Sequence, residues 1–476
     1  MPEEIFSVNE LSFRFPDDET QTLTGISFTV HRGERLVLTG PSGCGKSTLL
    51  YLLNRLYPEN CDGLADGEIL LFGKPAADYA PGEINHRVAT VFQDPDSQFC
   101  MPTVEEELAF TLENLQTPFD EMDPRIETVL ELTQLTHLRH TVIQSLSGGM
   151  KQRVATACAL IMDPEVLLLD EPLSHLDPYT AMQFVQWLEL LQQQANLTIV
   201  AVEHRLDSWG SFFGREIQMG GDGSIVADQK FTPRPPVLFP KLQPTGQTEI
   251  ALCATELSVT IKDKQLLSPS TFSARRGEIV IIAGPNGSGK STLVKSLCGI
   301  YKKTTGTIES NGTGYVPQSP EYLFLTQRVD QEVAYSGASN QGQLRRLMVN
   351  LRLDEIKEAH PFAISHGQKR RVAIAAMLAD KRPVLLMDEP TSGQDTAALI
   401  ELFDLIDQRS KEGTTFLIVT HDMEFAASLA DSVLLIKDGE LTGKFAAKDV
   451  WQNDKLLEQH HLLAPKGVSR LAESFA

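Results

Sequence analysis

Apolar and polar positions form two kinds of pattern along this chain, and both kinds occur in either half. Near the N-terminus they alternate, with Ile5, Val8, Leu11, Phe13 and Phe15 before the turn PDDET and Ile26, Phe28 and Val30 after it. This predicts antiparallel strands leading into whatever follows. Elsewhere the apolar runs are short and continuous, as in Arg35–Thr39, Val166–Leu169, Glu278–Ala283 and Val384–Met387, which predicts buried strands. Residues 104–140 and the shorter stretch 329–360 are rich in Glu and Leu at helical spacing, which suits a small helical subdomain in each half. From Trp451 the residues Leu456, Leu457, Leu462 and Leu463 predict a terminal helix against the second domain.

With 476 residues the chain exceeds what one hydrophobic core serves, and the repeat divides it in two. The expected domains are 1–231 and 249–476. Between them Thr232–Thr248 reads TPRPPVLFPKLQPTGQT, whose five prolines predict a semi-rigid extended linker. A formal charge of −21 argues against a nucleic-acid backbone as the main partner, because phosphate binding needs a clustered cationic face. Six cysteines stand without a CxxC pair, so neither a disulfide framework nor a zinc cluster is indicated. His460 and His461 have no further ligand nearby and carry no metal expectation. No run approaches the ~18 apolar residues of a membrane span, and MPEEIFSVNE is acidic where a signal peptide is basic. If a membrane process is served, another chain must supply the membrane.

The chemistry begins at GPSGCGKST, which comprises Gly40, Ser42, Gly43, Cys44, Gly45, Lys46, Ser47 and Thr48. It returns as GPNGSGKST, with Gly284, Asn286, Gly287, Ser288, Gly289, Lys290, Ser291 and Thr292. Each follows an apolar strand and opens a helical pattern, the context a phosphate-binding loop needs. The glycines let successive N–H groups point at phosphate oxygens, and the helix N-terminus adds its positive end. Lys46 and Lys290 would reach the β- and γ-phosphates, while Ser47 and Ser291 would place hydroxyls on Mg²⁺. Cys44, at a helix N-terminus beside Lys46, is expected to have a lowered thiol pKa.

Further residues recur in the same order. Gln93 and Gln318 each follow an apolar strand, where an amide could ligate Mg²⁺ or the attacking water. Ser147, Gly148 and Gly149 open one helix, and Ser365 and Gly367 open its counterpart, giving a second anion site on each half. Twenty-three residues beyond each serine stand two carboxylates, Asp170 with Glu171 and Asp388 with Glu389. His204 and His421 each close a further apolar strand. Deletions in the second half fall between these blocks, so the blocks keep their spacing and the loops absorb the change.

This set, present twice and spread over essentially the whole chain, resembles the nucleotide-binding subunits of ATP-binding-cassette (ABC) transporters. The resemblance implies an α/β fold with two head-to-tail nucleotide-binding domains, each a mixed-sheet core with an antiparallel β subdomain and a helical subdomain. It implies ATPase activity with ATP and Mg²⁺, and an intramolecular sandwich in which the serine-glycine signature of one half caps the phosphate loop of the other. Asp170 and Asp388 would hold Mg²⁺ through water, Glu171 and Glu389 would orient the attacking water, and His204 and His421 would contact the γ-phosphate. Phe15 is either an adenine-stacking platform or an ordinary strand residue, and Ile261 stands in its place in the second half. His366 replaces the first signature glycine, which implies reduced function at the site it would cap.

Within the family three readings compete. Translation or repair factors typically carry a long basic linker, unlike the Pro-rich one here, and tandem sugar-importer ATPases usually carry a degenerate second site. The stretch Val91–Phe99, VFQDPDSQF, and AVEHRL at 201–206 are similar to energy-coupling-factor transporter ATPases, including fused thiamine-precursor and cobalt-type members. The second half matches only in part, with SPEYLF after Gln318. That resemblance implies a peripheral protein on the cytoplasmic face of the cell membrane, bound to a transmembrane coupling protein that binds a substrate-capture membrane protein. Asp94 and Asp96 are expected to meet a basic partner helix, with Gln98 and Phe99 adding polar and apolar contacts.

Overall fold

The computed structural model describes residues 3–465 apart from 17, 19, 42, 60, 81, 175, 205, 234–236, 243–246, 262–263, 302–303, 338–339, 393 and 395, and apart from the side chains of Thr304 and His366. Two compact units divide the chain, residues 1–176 with 180–235, and residues 236–476 with 177–179.

In the first unit the alternating segment forms the antiparallel pair Glu4–Arg14 and Leu23–His31, extended by Leu64–Leu71 and Lys74–Pro75 into a four-stranded sheet. The continuous apolar runs form a second sheet. Its order is Ile225–Lys230, Arg215–Met219, Arg35–Thr39, Thr198–Val202, Val166–Asp170 and Val88–Val91, and all but the first of these run parallel. The continuity of these runs has a physical cause, since a parallel sheet is covered on both faces. Leu36 and Leu38 join the core shared with the antiparallel sheet and the helix Lys46–Leu53, whereas Val37 faces the core built by the helices Val104–Asn114, Phe119–Leu132, Gly148–Leu160 and Pro178–Ala195.

The second unit repeats this plan. Ile250–Ile261, Lys264–Arg275 and Thr304–Ser310 form its antiparallel sheet. Thr313–Val316, Val384–Asp388, Thr415–Val419, Ile279–Ala283 and Ser432–Lys437 form its parallel strands, with Glu440–Ala446 antiparallel at the edge. The expected helical subdomain is here the pair Val329–Ala334 and Gln341–Asn350. The tail forms the helix Asp454–Gln459, with Leu457 and Leu462 in the core. Among the described residues no helix is long and apolar enough to cross a membrane.

The proline-rich stretch is not wholly a free spacer. Phe239 stacks on Phe403 at 5.1 Å and meets Phe425 edge-on at 5.4 Å, while Leu242 N donates to Ser428 O and Ser428 Oγ donates to Phe239 O. Its second part is therefore anchored on the second unit. Phe239→Ala should cost about 1.5 kcal/mol, and calorimetry should show one unfolding transition lowered by roughly 3–6 °C. Leu238→Ala, at an exposed position, should move neither transition.

Candidate functional site

Each candidate site hangs from the C-terminal ends of the parallel strands. Between Arg35–Thr39 and the helix starting at Lys46, Gly40, Gly43 and Gly45 take φ of 147°, 81° and 91°. Gly284, Gly287 and Gly289 repeat this at 150°, 77° and 102° before the helix Lys290–Leu297. Close approach adds to the conformational demand, because a methyl at Gly284 would fall 1.9 Å from Ile436 O. Ser42 lies outside the described residues. Lys46 Nζ donates to the carbonyls of Gly40 and Pro41 at 3.0 and 2.8 Å, and Lys290 Nζ to those of Gly284 and Pro285 at 2.8 and 2.7 Å. Both ammonium groups thus lie folded across their loops. Thr48 and Thr292 sit in the first helical turns, and Asn286 and Ser288 within the second loop.

The helix start is stitched to the neighbouring strand end. Ser47 Oγ donates to Asp170 Oδ1 at 2.9 Å and Tyr51 OH to Asp170 Oδ2 at 2.7 Å. Tyr51 stands one helical turn beyond Ser47, a spacing that places both side chains on one face, yet nothing in the motif marks it. Burial pushes the Asp170 carboxyl up, and the bonds from Tyr51 and Ser47 oppose that shift. Asp388 is raised for the same reason, opposed by its bond from Ser291 and by the nearby Lys295. Asp388 Oδ1 is buried without a hydrogen-bond partner among the described residues. A buried carboxylate oxygen beside a helix-terminal serine hydroxyl is a hard-oxygen donor set that suits Mg²⁺.

Next in the chain, both glutamates adopt left-handed backbone, with φ 43° at Glu171 and 53° at Glu389. Such strain costs on the order of 1 kcal/mol or more and persists where surrounding structure enforces it. Here Glu171 N donates to Val202 O and Glu389 N to Val419 O, continuing the parallel ladder one residue beyond the strand. The Glu171 carboxylate then sits between Gln93 Nε2 at 3.0 Å and His204 Nε2 at 2.9 Å. Glu389 meets His421 through both the ring, 3.2 Å, and the backbone N–H, 3.3 Å. Burial raises the Glu389 carboxyl, with Lys290 opposing. The structure thus brings carboxylates, histidine and phosphate loop together within each unit. The amide of Gln318 is exposed and makes no such bond to Glu389 among the described residues.

The serine-glycine signatures start helices as expected. Ser147 Oγ accepts from Met150 N, Ser365 Oγ accepts from Gln368 N, and Gln368 returns a bond from Ser365 N. A methyl at Gly149 would fall 2.2 Å from Thr180 Cγ2, so this glycine is required by packing within its own unit. Gly367 O accepts from Gln394 Nε2 at 3.2 Å, and the side chain of His366 lies outside the described residues.

Some expectations change. Cys44 is buried at 3% exposure, and desolvation pushes its thiol up by more than Lys46 at 3.7 Å pulls it down, so it is no activated thiolate. Asp96 already has a basic neighbour within its own unit, because Lys151 Nζ donates to both its carboxylate oxygens at 2.6 and 2.8 Å. Glu321 and Lys369 repeat that ion pair at 3.4 Å. Phe15 is half-buried, edge-on to Phe13 at 5.0 Å and Tyr57 at 6.0 Å. His460 is buried, bonded through its ring nitrogens to Thr442 Oγ1 and Leu456 O, so its place in the tail is one of packing.

The ABC transporter family model matches residues 23–174 and, a second time, 267–392. Each matched stretch runs from before a phosphate loop to beyond a carboxylate pair. This chain belongs to the ABC transporter family. It is an ATP-binding ABC transporter ATPase with tandem domains. A Bacillus subtilis (strain 168) protein, provisionally named an HMP/thiamine import ATP-binding protein, is 38% identical over 494 aligned residues, covering 92% of this chain and 90% of that one. A Streptococcus pneumoniae serotype 4 protein, provisionally named an ABC transporter ATP-binding protein, is 31% identical over 97% of this chain and 94% of its own length. The solved structure of an RNase-L inhibitor, 22% identical, covers 95% of this ABC ATPase and 93% of its own chain at a TM-score of 0.64, which shows a shared fold.

Burial of the first-loop thiol has a direct readout. Alkylation at pH 8 followed by mass mapping should label exposed Cys100 and spare Cys44 in the folded protein, and rapid modification of Cys44 would contradict its packing.

Proposed function

We propose that this protein is the ATP-hydrolysing energy-coupling subunit of an energy-coupling-factor-type importer for a vitamin, vitamin precursor or metal ion. The reading is carried by a groove of about 610 Å³ in the first unit, directly beyond Gln93, whose lining includes Gln98, Phe99, Glu83, His86, Glu107 and Phe110. Gln98 and Phe99 are the residues that the VFQDPDSQF resemblance assigns to a membrane partner. Because Asp96 already pairs with Lys151, the groove is the better-defined docking surface beside the acidic turn. The import function in the name of the Bacillus subtilis relative supports the same class. The partner is a helix of a transmembrane coupling protein, which in turn holds a substrate-capture membrane protein, and the ATPase sits peripherally at the cytoplasmic face.

In this reading each unit carries a complete set of catalytic side chains. Lys46 and Lys290 leave their loop carbonyls to bind the β- and γ-phosphates, assisted by backbone N–H groups at the helix starts. Ser47, Asp170 and Gln93, and Ser291, Asp388 and Gln318, are the residues that would hold Mg²⁺, which would supply neutralisation of phosphate charge. Glu171 and Glu389 orient and accept a proton from the attacking water, and His204 and His421 hold those carboxylates and the γ-phosphate end. Gln93, bonded to Glu171, links nucleotide state to the groove beyond it. Ser147, Gly148, Gly149, Ser365 and Gly367 present helix N-termini to anionic phosphate.

Glu171→Gln with Glu389→Gln should preserve ATP affinity while cutting phosphate release by at least about 100-fold. Turnover that survives in this variant would exclude the two glutamates from catalysis. For the partner, Gln98→Ala with Phe110→Ser should leave the ATPase of the isolated protein within about twofold, while co-purification with the co-expressed membrane subunits and uptake of labelled HMP or thiamine fall together. Unchanged co-purification would refute the groove as the docking site.

A further inference from the structure

The second signature helix carries an arginine, Arg370, five residues after its capping serine Ser365, and the side chain is 1% exposed. Its Nη1 donates to the backbone carbonyl of Glu389, and its Nη2 donates to the carbonyl of Gln318 at 2.5 Å. One guanidinium therefore spans the two segments that flank the γ-phosphate end of this site. The rigid fork of arginine makes this possible, since two donors in fixed geometry can bridge two acceptors. Burying an arginine is costly: loss of hydration pulls the Arg370 guanidinium pKa down, and the surrounding carboxylates of Glu389, Asp388 and Glu321 oppose that shift without cancelling it.

The internal repeat supplies a comparison. Five residues after Ser147 stands Gln152, also buried at 2% exposure, and its Nε2 has no hydrogen-bond partner among the described residues. In that half the link between the two segments is instead the bond from the Gln93 amide to the Glu171 carboxylate. The first link joins two side chains that nucleotide and water would also engage. The second joins two backbones through a buried cation, which bonds the carbonyl of Glu389 and leaves its carboxylate to His421.

We infer that Arg370 is a positioning residue for ATP hydrolysis in the second half, clamping the Gln318 segment to the Glu389 strand end so that the water-orienting carboxylate stays in register. The inference rests on the proposed role of Glu389. It predicts that the two sites differ in what holds them together, with the second dependent on a residue the first lacks.

The test uses the full-length protein carrying Glu171→Gln, so that turnover reports the second site. Adding Arg370→Met, which keeps the volume, or Arg370→Gln, which installs the residue of the first half, should lower kcat about 10- to 100-fold, as expected for a displaced catalytic group. The KM for ATP and ATP binding should stay within about threefold, since Lys290 and its loop are untouched. Arg370→Lys, with a single ammonium in place of the fork, should not restore kcat. A kcat within twofold of the parent in Arg370→Met overturns the inference. So does a parallel loss of ATP binding and kcat, which marks a merely structural role, and so does full rescue by lysine. If Glu171→Gln with Glu389→Gln still hydrolyses ATP, the role of Glu389 fails instead, independently of what the Arg370 variants do.

Discussion

The constraint on which both sites depend is the parallel sheet that is covered on both faces. Its central strands are largely apolar, so charge gathers where those strands stop; buried Glu216, inside Arg215–Met219, is an exception that accepts a hydrogen bond from Thr39 Oγ1 at 2.6 Å. In the first unit Asp170 and Glu171 follow Val166–Leu169, Glu203 and His204 follow Thr198–Val202, and the phosphate loop follows Arg35–Thr39. Parallel register brings these ends to one edge, because Asp170 pairs with Val202 and Glu171 N bonds to Val202 O. The helix starting at Lys46 then presents its N-terminus to the same edge, fastened by Ser47 and Tyr51 to Asp170. Buried carboxylates and a buried lysine at a helix start thus stand at one edge, where opposite charges partly balance one another.

Although the two halves share this frame, they wire it differently. Asp170 receives a phenol from Tyr51 on the helix, whereas the matching helical position in the second half is Lys295, a cation near Asp388. Tyr315, on the strand before Gln318, lies close to Asp388, where Thr90 stands in the first half and bonds Asn54. Gln93 touches Glu171 through side chains, while Arg370 ties the corresponding backbones in the second half. Each substitution keeps the carboxylates held in place, but the group that holds them changes. Equivalent motifs therefore do not imply equivalent turnover.

Local electrostatic reasoning fails where packing intervenes. Lysine and a helix N-terminus beside Cys44 favour a thiolate, but the side chain faces the core under the antiparallel sheet and desolvation dominates. Asp96 sits in an acidic turn that reads as an open surface for a cation, yet the signature helix supplies Lys151 from 55 residues away. In both cases the deciding neighbour is distant in sequence and therefore invisible to a reading of spacing.

The sequence by itself determined the duplicated α/β plan, the strand–loop–helix phosphate sites, the order of glutamine, signature, carboxylates and histidine, and the family, because each depends on local periodicity or on short-range backbone geometry. Short continuous apolar runs bounded by charge favour buried strands, and the GxxxxGKST loops open their helices through glycines at positive φ. Tertiary structure decided the rest. Tyr51 and Arg370 became site residues because parallel register and helix packing brought them to the strand ends, and no motif marks them. The positive φ at Glu171 and Glu389 arises from continuing a ladder past the strand, which no single residue encodes. The proline-rich segment became half anchor because Phe239 found the rings of Phe403 and Phe425, more than 160 residues further along the chain. Contacts between residues far apart in sequence are set by the fold, so their chemistry becomes legible only once the fold is known.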